Sequence, residues 1–442
     1  MKERYFLTTA VVWFTVATAS TALGGVPDIA PRDEPTFRLS QTDGKHHLVH
    51  PDGQPFVALG VNHIGAVAGD RDFFAKQYDG DWSVFREHLG QQLDRWNMNC
   101  AGYGAPAALQ QHFPYFATIT LAKIEKHRSD PNPVSPNGYL FPDPFDPKWV
   151  ADVHRRIREL CERHRRNRLL IGYLWTDTPT WDVIKTRGLR GTDWVSEIRR
   201  LSADSPGRRR YVEFLTSRYK DRLAELKSIY GLDLPSFAAL DEADLSSVAI
   251  GRHVVQADDT DFLEIIAEQF YSVVGSAQRK HDPRHLVFGD RYLLGDHPMG
   301  VLRQAAKWID AVAVQPGDLY APLYPPSTRF AVDEFRRIHE VTEKPILICD
   351  HAISFPTSSH PRTIFEQVPN EGEAALSIVR FIDAAFAESY VIGYLKCQYI
   401  DRPSNFGRGL RQGLLRNDGT ERKVIVGGYA ERFAEIIDGL NR

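Results

Sequence analysis

With 442 residues, 43% of them hydrophobic and 25% charged, the chain has ample material for a large buried core. Its formal net charge of -3 supplies no global field that would draw nucleic acid or a membrane surface. The cysteines, Cys100, Cys161, Cys349 and Cys397, show no CxxC or metal-ligand spacing. Free buried thiols are the expectation, with disulfides still possible in an exported protein.

Lys2 and Arg4 precede an apolar run from Phe6 to Val16, and small residues follow as far as Ala22. This is the pattern of a secretory signal peptide, too short for a membrane span, with cleavage after Ala19 or Ala22. Residues 1–22 are therefore expected to be the signal, 23–35 a linker and 36–442 a single domain, secreted or periplasmic and not membrane-bound after cleavage.

From Thr36 the turn signals Asp43-Gly44 and Asp52-Gly53 separate short strand-like runs. They predict a hairpin plug leading into a first buried strand, Phe56–Val61. Further strands are predicted at Met98–Tyr103, Phe113–Ala122, Leu169–Tyr173, His285–Gly289, Ile309–Val314, Lys344–Asp350 and Tyr390–Tyr399. Helical spacing lies between them, at Trp82–Asp94, 148–167, Phe262–Lys280, through Leu376, Val379, Ile382 and Phe386, and after Lys423. The Arg-dense run Arg155–Arg168 carries Val153, Ile157, Leu160 and Cys161 on one face and reads as an amphipathic helix with a solvated basic side. A Pro- and Asp-rich loop spans Asp130–Pro147. The stretch Trp181–His281 is too long for one ordinary crossover and predicts an insertion at about 182–258, with helical pattern at Arg209–Tyr230.

Eight buried strands alternating with helices predict an α/β fold, a (β/α)8 TIM barrel with an N-terminal hairpin and a helical insertion after strand four. An open doubly wound sheet would normally carry a glycine-rich phosphate loop after its first strand. GVNHIG, Gly60–Gly65, does not fit that pattern.

Such a barrel places its chemistry at the C-terminal strand ends. Those ends carry Asn62 and His63, Tyr103, Trp175, Asp177 and Trp181, Asp290 and Arg291, Gln315, Asp350 and His351, and Tyr399. Aromatic faces, amides and carboxylates together suit a neutral polyhydroxylated substrate. Two carboxyls across a sugar can act as acid and as nucleophile or base. Asp177, among aromatic residues that would raise its pKa, is the expected general acid, with Asp290 as alternative; Asp350 is the nucleophile or base. The remaining strand-end residues are the expected carbohydrate-binding set. His63, His297, His351 and His360 lack HxH or HExxH spacing, so no metal and no other cofactor is expected, nor a nucleic-acid partner. No GxSxG elbow occurs.

The stretches PDGQPFVALGVNHIG, GYLWTDTPTW, KPILICDHAISF and GYLKCQYIDRP, in that order, resemble the clan A glycoside hydrolases, and among them the β-agarase (family 50-like) branch. The resemblance covers roughly Thr36 to the C-terminus. It implies a (β/α)8 barrel that cleaves β-linked polysaccharide with net retention, using a Glu acid after strand four and a Glu nucleophile after strand seven. The sequence departs at both places. Asp350 stands at the nucleophile position, and Thr178 at the acid position, with Asp177 where an Asn would precede it. Two Asp in place of two Glu widen the gap between carboxyls and favour inversion, so the retaining mechanism is not carried over. A non-catalytic glycan-binding barrel that has lost the family glutamates is the alternative reading.

Overall fold

The computed structural model describes residues 35–122, 141–190, 192–246, 248, 253–295, 297–316, 326–363, 367–403 and 409–440. The expected signal peptide, nearly all of the linker and most of the Asp130–Pro147 loop lie outside them.

The hairpin comes first: β1 (Arg38–Thr42), β2 (Lys45–Val49) and β3 (Pro55–Phe56) form a small antiparallel sheet. The main sheet is built from β4 (Ala58–Val61), β5 (Tyr115–Thr118), β6 (Leu170–Asp177), β7 (Leu286–Leu293), β8 (Val312–Gln315) and β9 (Ile346–His351), followed, after the short β10 (Arg362–Thr363), by β11 (Val391–Lys396). In a third small sheet β10 and β12 (Arg402–Pro403) flank β13 (Gly409–Arg411), the one parallel and the other antiparallel to it.

The main sheet is parallel throughout and has the order β4-β11-β9-β8-β7-β6-β5. From β5 to β11 its strands lie in chain order, and β4, the first, sits beside β11, the last. A doubly wound sheet reverses direction at its middle; a curled, TIM-like sheet does not. Between the edges β4 and β5 runs the segment predicted as strand two. It makes only isolated bridges, Gly60 to Cys100 and Tyr103 to Phe116. Its irregularity has a local cause. Gly102 has φ +55, and a Cβ there would lie 2.2 Å from Asn62 Oδ1. The chain bends inward against Asn62 instead of continuing as a regular strand.

Helices cover the outside: α1 (Arg71–Tyr78), α2 (Trp82–Arg95), α3 (Pro147–His164), α4 (Val183–Arg190), α5 (Trp194–Arg200), α6 (Pro206–Tyr219), α7 (Leu223–Tyr230), α8 (His253–His281), α9 (Met299–Ala306), α10 (Val332–Thr342), α11 (Glu371–Phe386) and α12 (Lys423–Leu440). In α3, Asp146 caps the N-terminus and Pro147 opens the first turn, while Val153, Ile157, Leu160 and Cys161 are buried. Each such apolar side chain contributes about 1.5–3 kcal/mol on burial. The opposite face pairs Arg155 with Asp152 and Glu159.

Two apolar layers result. The inner one joins Ile171, Leu174, Phe288, Ala313, Leu347 and Leu395 of the main sheet to Leu48 and Phe56 of the hairpin and to Phe37 just before it, so the hairpin packs on the sheet's inner face. The outer one lies between strands and helices.

The Arg209–Tyr230 segment forms two helices, broken at Lys220, where φ is +37. α8 runs for 29 residues and anchors α4–α7 through two buried carboxylates. Asp258 accepts from the Tyr219 and Tyr230 hydroxyls at 2.7 and 2.6 Å. Asp259 pairs with Arg187 at 2.8 Å and with Arg199. A buried carboxylate needs such company to offset its lost hydration. All four cysteines are free and buried. Among the described residues no helix is long and apolar enough to cross a membrane.

Candidate active site

β6 and β9 are members of one parallel sheet, so Asp177 and Asp350 stand at the same end of it. Asp177 owes its direction to an irregular register. Opposite β7, the pairing passes from Leu174–Gly289 to Asp177–Arg291, three residues on one strand against two on the other. The extra residue is a bulge, and a bulge reverses which face the following side chain takes. It sets Asp177 beside Arg291.

Gln315 Nε2 donates to Asp177 Oδ1 at 2.6 Å, and Arg291 Nη1 lies 3.7 Å from the same oxygen. Asp177 sits in a recess whose walls penalise charge, although 45% of its side chain still meets solvent. Arg291, the Gln315 amide, His63 and Arg411 outweigh that penalty and hold the carboxyl below its ordinary range. This corrects the expectation of a raised pKa: the aromatic residues thought to raise it face elsewhere. Trp175 stacks on Tyr271 of α8, and Trp181 on Trp194 of α5, both indoles being fully enclosed.

Asp350 occupies a left-handed conformation, φ +53. Asn62 Nδ2 donates to its Oδ1 at 2.8 Å, while Asn62 Oδ1 accepts from the Tyr103 amide at 3.0 Å. His63, also left-handed at φ +59, places Nε2 at 3.7 Å from Asp350 Oδ1 and its ring edge-on to Tyr103 at 4.9 Å. Tyr103 in turn carries the Arg291 guanidinium on its face, 4.2 Å from the ring centre, a cation–π contact. Asn62, His63, Tyr103, Asp177, Arg291, Gln315 and Asp350 thus form one connected constellation.

Besides Trp175 and Trp181, three other expected site residues, Asp290, His351 and Tyr399, do not join it. Strand β7 extends to Leu293, so Asp290 lies within the strand and not after it. Its oxygens accept from the Thr176 amide at 3.0 Å and the Tyr271 hydroxyl at 2.7 Å, and it has no exposed surface. Burial raises its pKa to about 6. His351 follows Asp350 on β9 and therefore points to the opposite face. It stacks on Phe381, contacts the Tyr394 hydroxyl and Ser327 O, and burial lowers its pKa to about 3. Tyr399 gives its hydroxyl to Gln92 of α2 at 2.5 Å, away from solvent.

Sequence reasoning missed three neighbours. Cys397, read as a free buried thiol, lies with His63 and Asp350, and burial together with Asp350 pushes its thiol well upward. Lys396 is buried at the end of β11, and burial lowers its ammonium to about 8. A lysine closing the apolar run YVIGYLK was a usable signal. Arg411 on β13 carried none. A cavity of about 440 Å³, lined by residues including Lys185, His297 and Arg337, contains neither mouth carboxylate.

No protein-family model matches the chain. Among curated proteins it is similar to Beta-agarase A of Vibrio sp. (strain JT0107), 23% identical over 336 residues, which is 72% of this chain and 32% of that protein. Beta-agarase B of the same strain is 20% identical over 271 residues, 61% of this chain and 27% of that protein. The chain spans about a third of the length of these curated relatives. Among solved structures, an exo-beta-agarase superposes with TM-score 0.75 at 18% identity, covering 92% of this chain and 65% of that one. PfGH50B superposes with TM-score 0.76 at 17% identity, covering 92% and 67%. At these identities the likeness establishes a shared fold.

Proposed function

We propose that the chain is an exported glycoside hydrolase acting on an algal or plant oligo- or polysaccharide, on a barrel whose ring of strands closes through residues 100–103. The observation that carries this reading is the pair Asp177 and Asp350, brought to one end of the sheet with His63 in electrostatic reach of both. The similarity to proteins named beta-agarases supports the substrate class.

In this reading Asp350 attacks the anomeric carbon or activates water, oriented by Asn62. Asp177 delivers the proton to the leaving oxygen. Held ionised by Arg291 and Gln315, it must first take up a proton. Activity on natural glycans is therefore expected on the acid side, and cleavage of aryl glycosides, whose leaving group needs no proton, is expected over a wider range. The signal peptide is removed on export after Ala19 or Ala22, so exported protein begins near Ser20 or Leu23; an intact Met1 in exported material contradicts this.

The test is hydrolysis of agar-derived and other β-linked glycans alongside activated aryl glycosides. A second reading, a non-catalytic glycan-binding barrel, is favoured by one observation, the ionised Asp177 followed by Thr178. Binding of a glycan with no cleavage of any of these substrates would decide for it.

A further inference from the structure

Three different ligand types meet at the ends of β4, β9 and β11. His63 offers a ring nitrogen, Asp350 a carboxylate oxygen and Cys397 its Sγ, and these atoms all lie within 4.8 Å of one another. The 3.7 Å from His63 Nε2 to Asp350 Oδ1 is too long for a hydrogen bond. Around a tetrahedral Zn²⁺ with bonds of ~2.0–2.3 Å, ligand atoms stand ~3.3–3.7 Å apart. The separation is thus that of two ligands sharing an ion. Asn62 Nδ2 donates to that same Asp350 oxygen at 2.8 Å and orients the carboxylate, as an outer-shell partner does in metal sites. His63 keeps 27% of its side chain in solvent and Asp350 11%, which leaves one side of the cluster open.

We propose that His63, Asp350 and Cys397 bind a single thiophilic divalent cation of the Zn²⁺ class, with a fourth position open to water or a substrate oxygen. One thiolate, one imidazole and one carboxylate are a donor set suited to that ion. Binding replaces the S–H bond of Cys397 by a metal–sulfur bond and releases the proton to solvent, without redox change. The site does not depend on the hydrolase reading. An ion held there occupies Asp350, so the metal-loaded state excludes direct attack by that carboxylate. The Lys396 ammonium interacts with both Asp350 and Cys397 and opposes the cation.

The test titrates the metal-free full chain with Co²⁺ and then Zn²⁺, with no glycan present. A thiolate-to-cobalt charge-transfer band should appear, saturate at one ion per chain and be displaced by Zn²⁺. Cys397→Ser should abolish the band, while Cys100→Ser should leave it intact. His63→Ala, at a partly exposed position, should weaken Zn²⁺ binding, Asn62→Ala should weaken it by about 10–100-fold, and Lys396→Met should strengthen it. Circular dichroism checks that each variant is folded. Absence of the band in the wild type overturns the proposal, as does a band that survives Cys397→Ser or Zn²⁺ binding unaffected by His63→Ala.

Discussion

Asp177 and Asp290 lie on neighbouring strands at one end of the same sheet, yet they live in opposite environments. Asp177 is part-exposed and held ionised by Arg291 and Gln315. Asp290 is sealed between the sheet and α8, with a Tyr271 hydroxyl and a backbone amide on its oxygens, and titrates near 6. One bulge in β6 and simple alternation along β7 produce the difference. A strand-end carboxylate is therefore a site residue or a core residue according to its face. In this chain the carboxyl with the pKa expected of a general acid is sealed from solvent.

The largest effect belongs to the partner of Asp177. Asp350→Asn should lower kcat/KM by about 10²–10⁴-fold with the circular dichroism spectrum unchanged, because Asn tolerates the left-handed backbone at that position. Wild-type kcat/KM in the folded variant would remove Asp350 from the chemistry. Arg291→Met comes next. Without the guanidinium the Asp177 pKa should rise by about 1–3 units. A general acid works only while protonated, so the high-pH limb of the kcat/KM profile on a natural glycan should move up by the same amount. A limb that stays in place means that Asp177 is not the acid.

The third prediction concerns stability at Asp290. Its folded pKa, about 6, lies above the ordinary 3.8. Below 3.8 the folded and unfolded states both hold the proton and no penalty arises. As pH rises to about 6 the unfolded chain ionises first, so folding loses on the order of 3 kcal/mol and does not regain it at higher pH. Denaturant unfolding of the wild type should show this loss and Asp290→Asn should lack it; parallel pH profiles of the two would break the comparison. The smallest effect is none at all: with four free, buried thiols, a reductant should leave Tm unchanged, and a fall would reveal a disulfide.

Strand cores and their order were legible because runs such as Leu170–Leu174 and Ile346–Cys349 are apolar on both faces, as buried parallel strands require. Which way a strand-end side chain points was less legible. Strand β7 runs on through Asp290 and Arg291, and β6 bulges before Asp177; neither feature leaves a mark in composition. Asp290, His351, Trp175 and Tyr399 were assigned to the mouth for that reason and lie on the outer side. Asn62, His63 and Gln315, which lie beside Asp350 and Asp177, stood out as candidates because amides and imidazoles are rare directly after an apolar run. Arg411 reaches the site from a small separate sheet, a tertiary proximity that no local pattern encodes.

The most direct measurement sets Asp177→Asn beside Asp290→Asn, each assayed for kcat/KM on a natural glycan and for Tm across pH. The account predicts that Asp177→Asn loses activity, by about 10²–10⁴-fold, and keeps its Tm, whereas Asp290→Asn keeps its activity and loses the pH dependence of its stability. An Asp177→Asn protein with wild-type activity, or an inactive Asp290→Asn protein that melts as the wild type does at every pH, would contradict it.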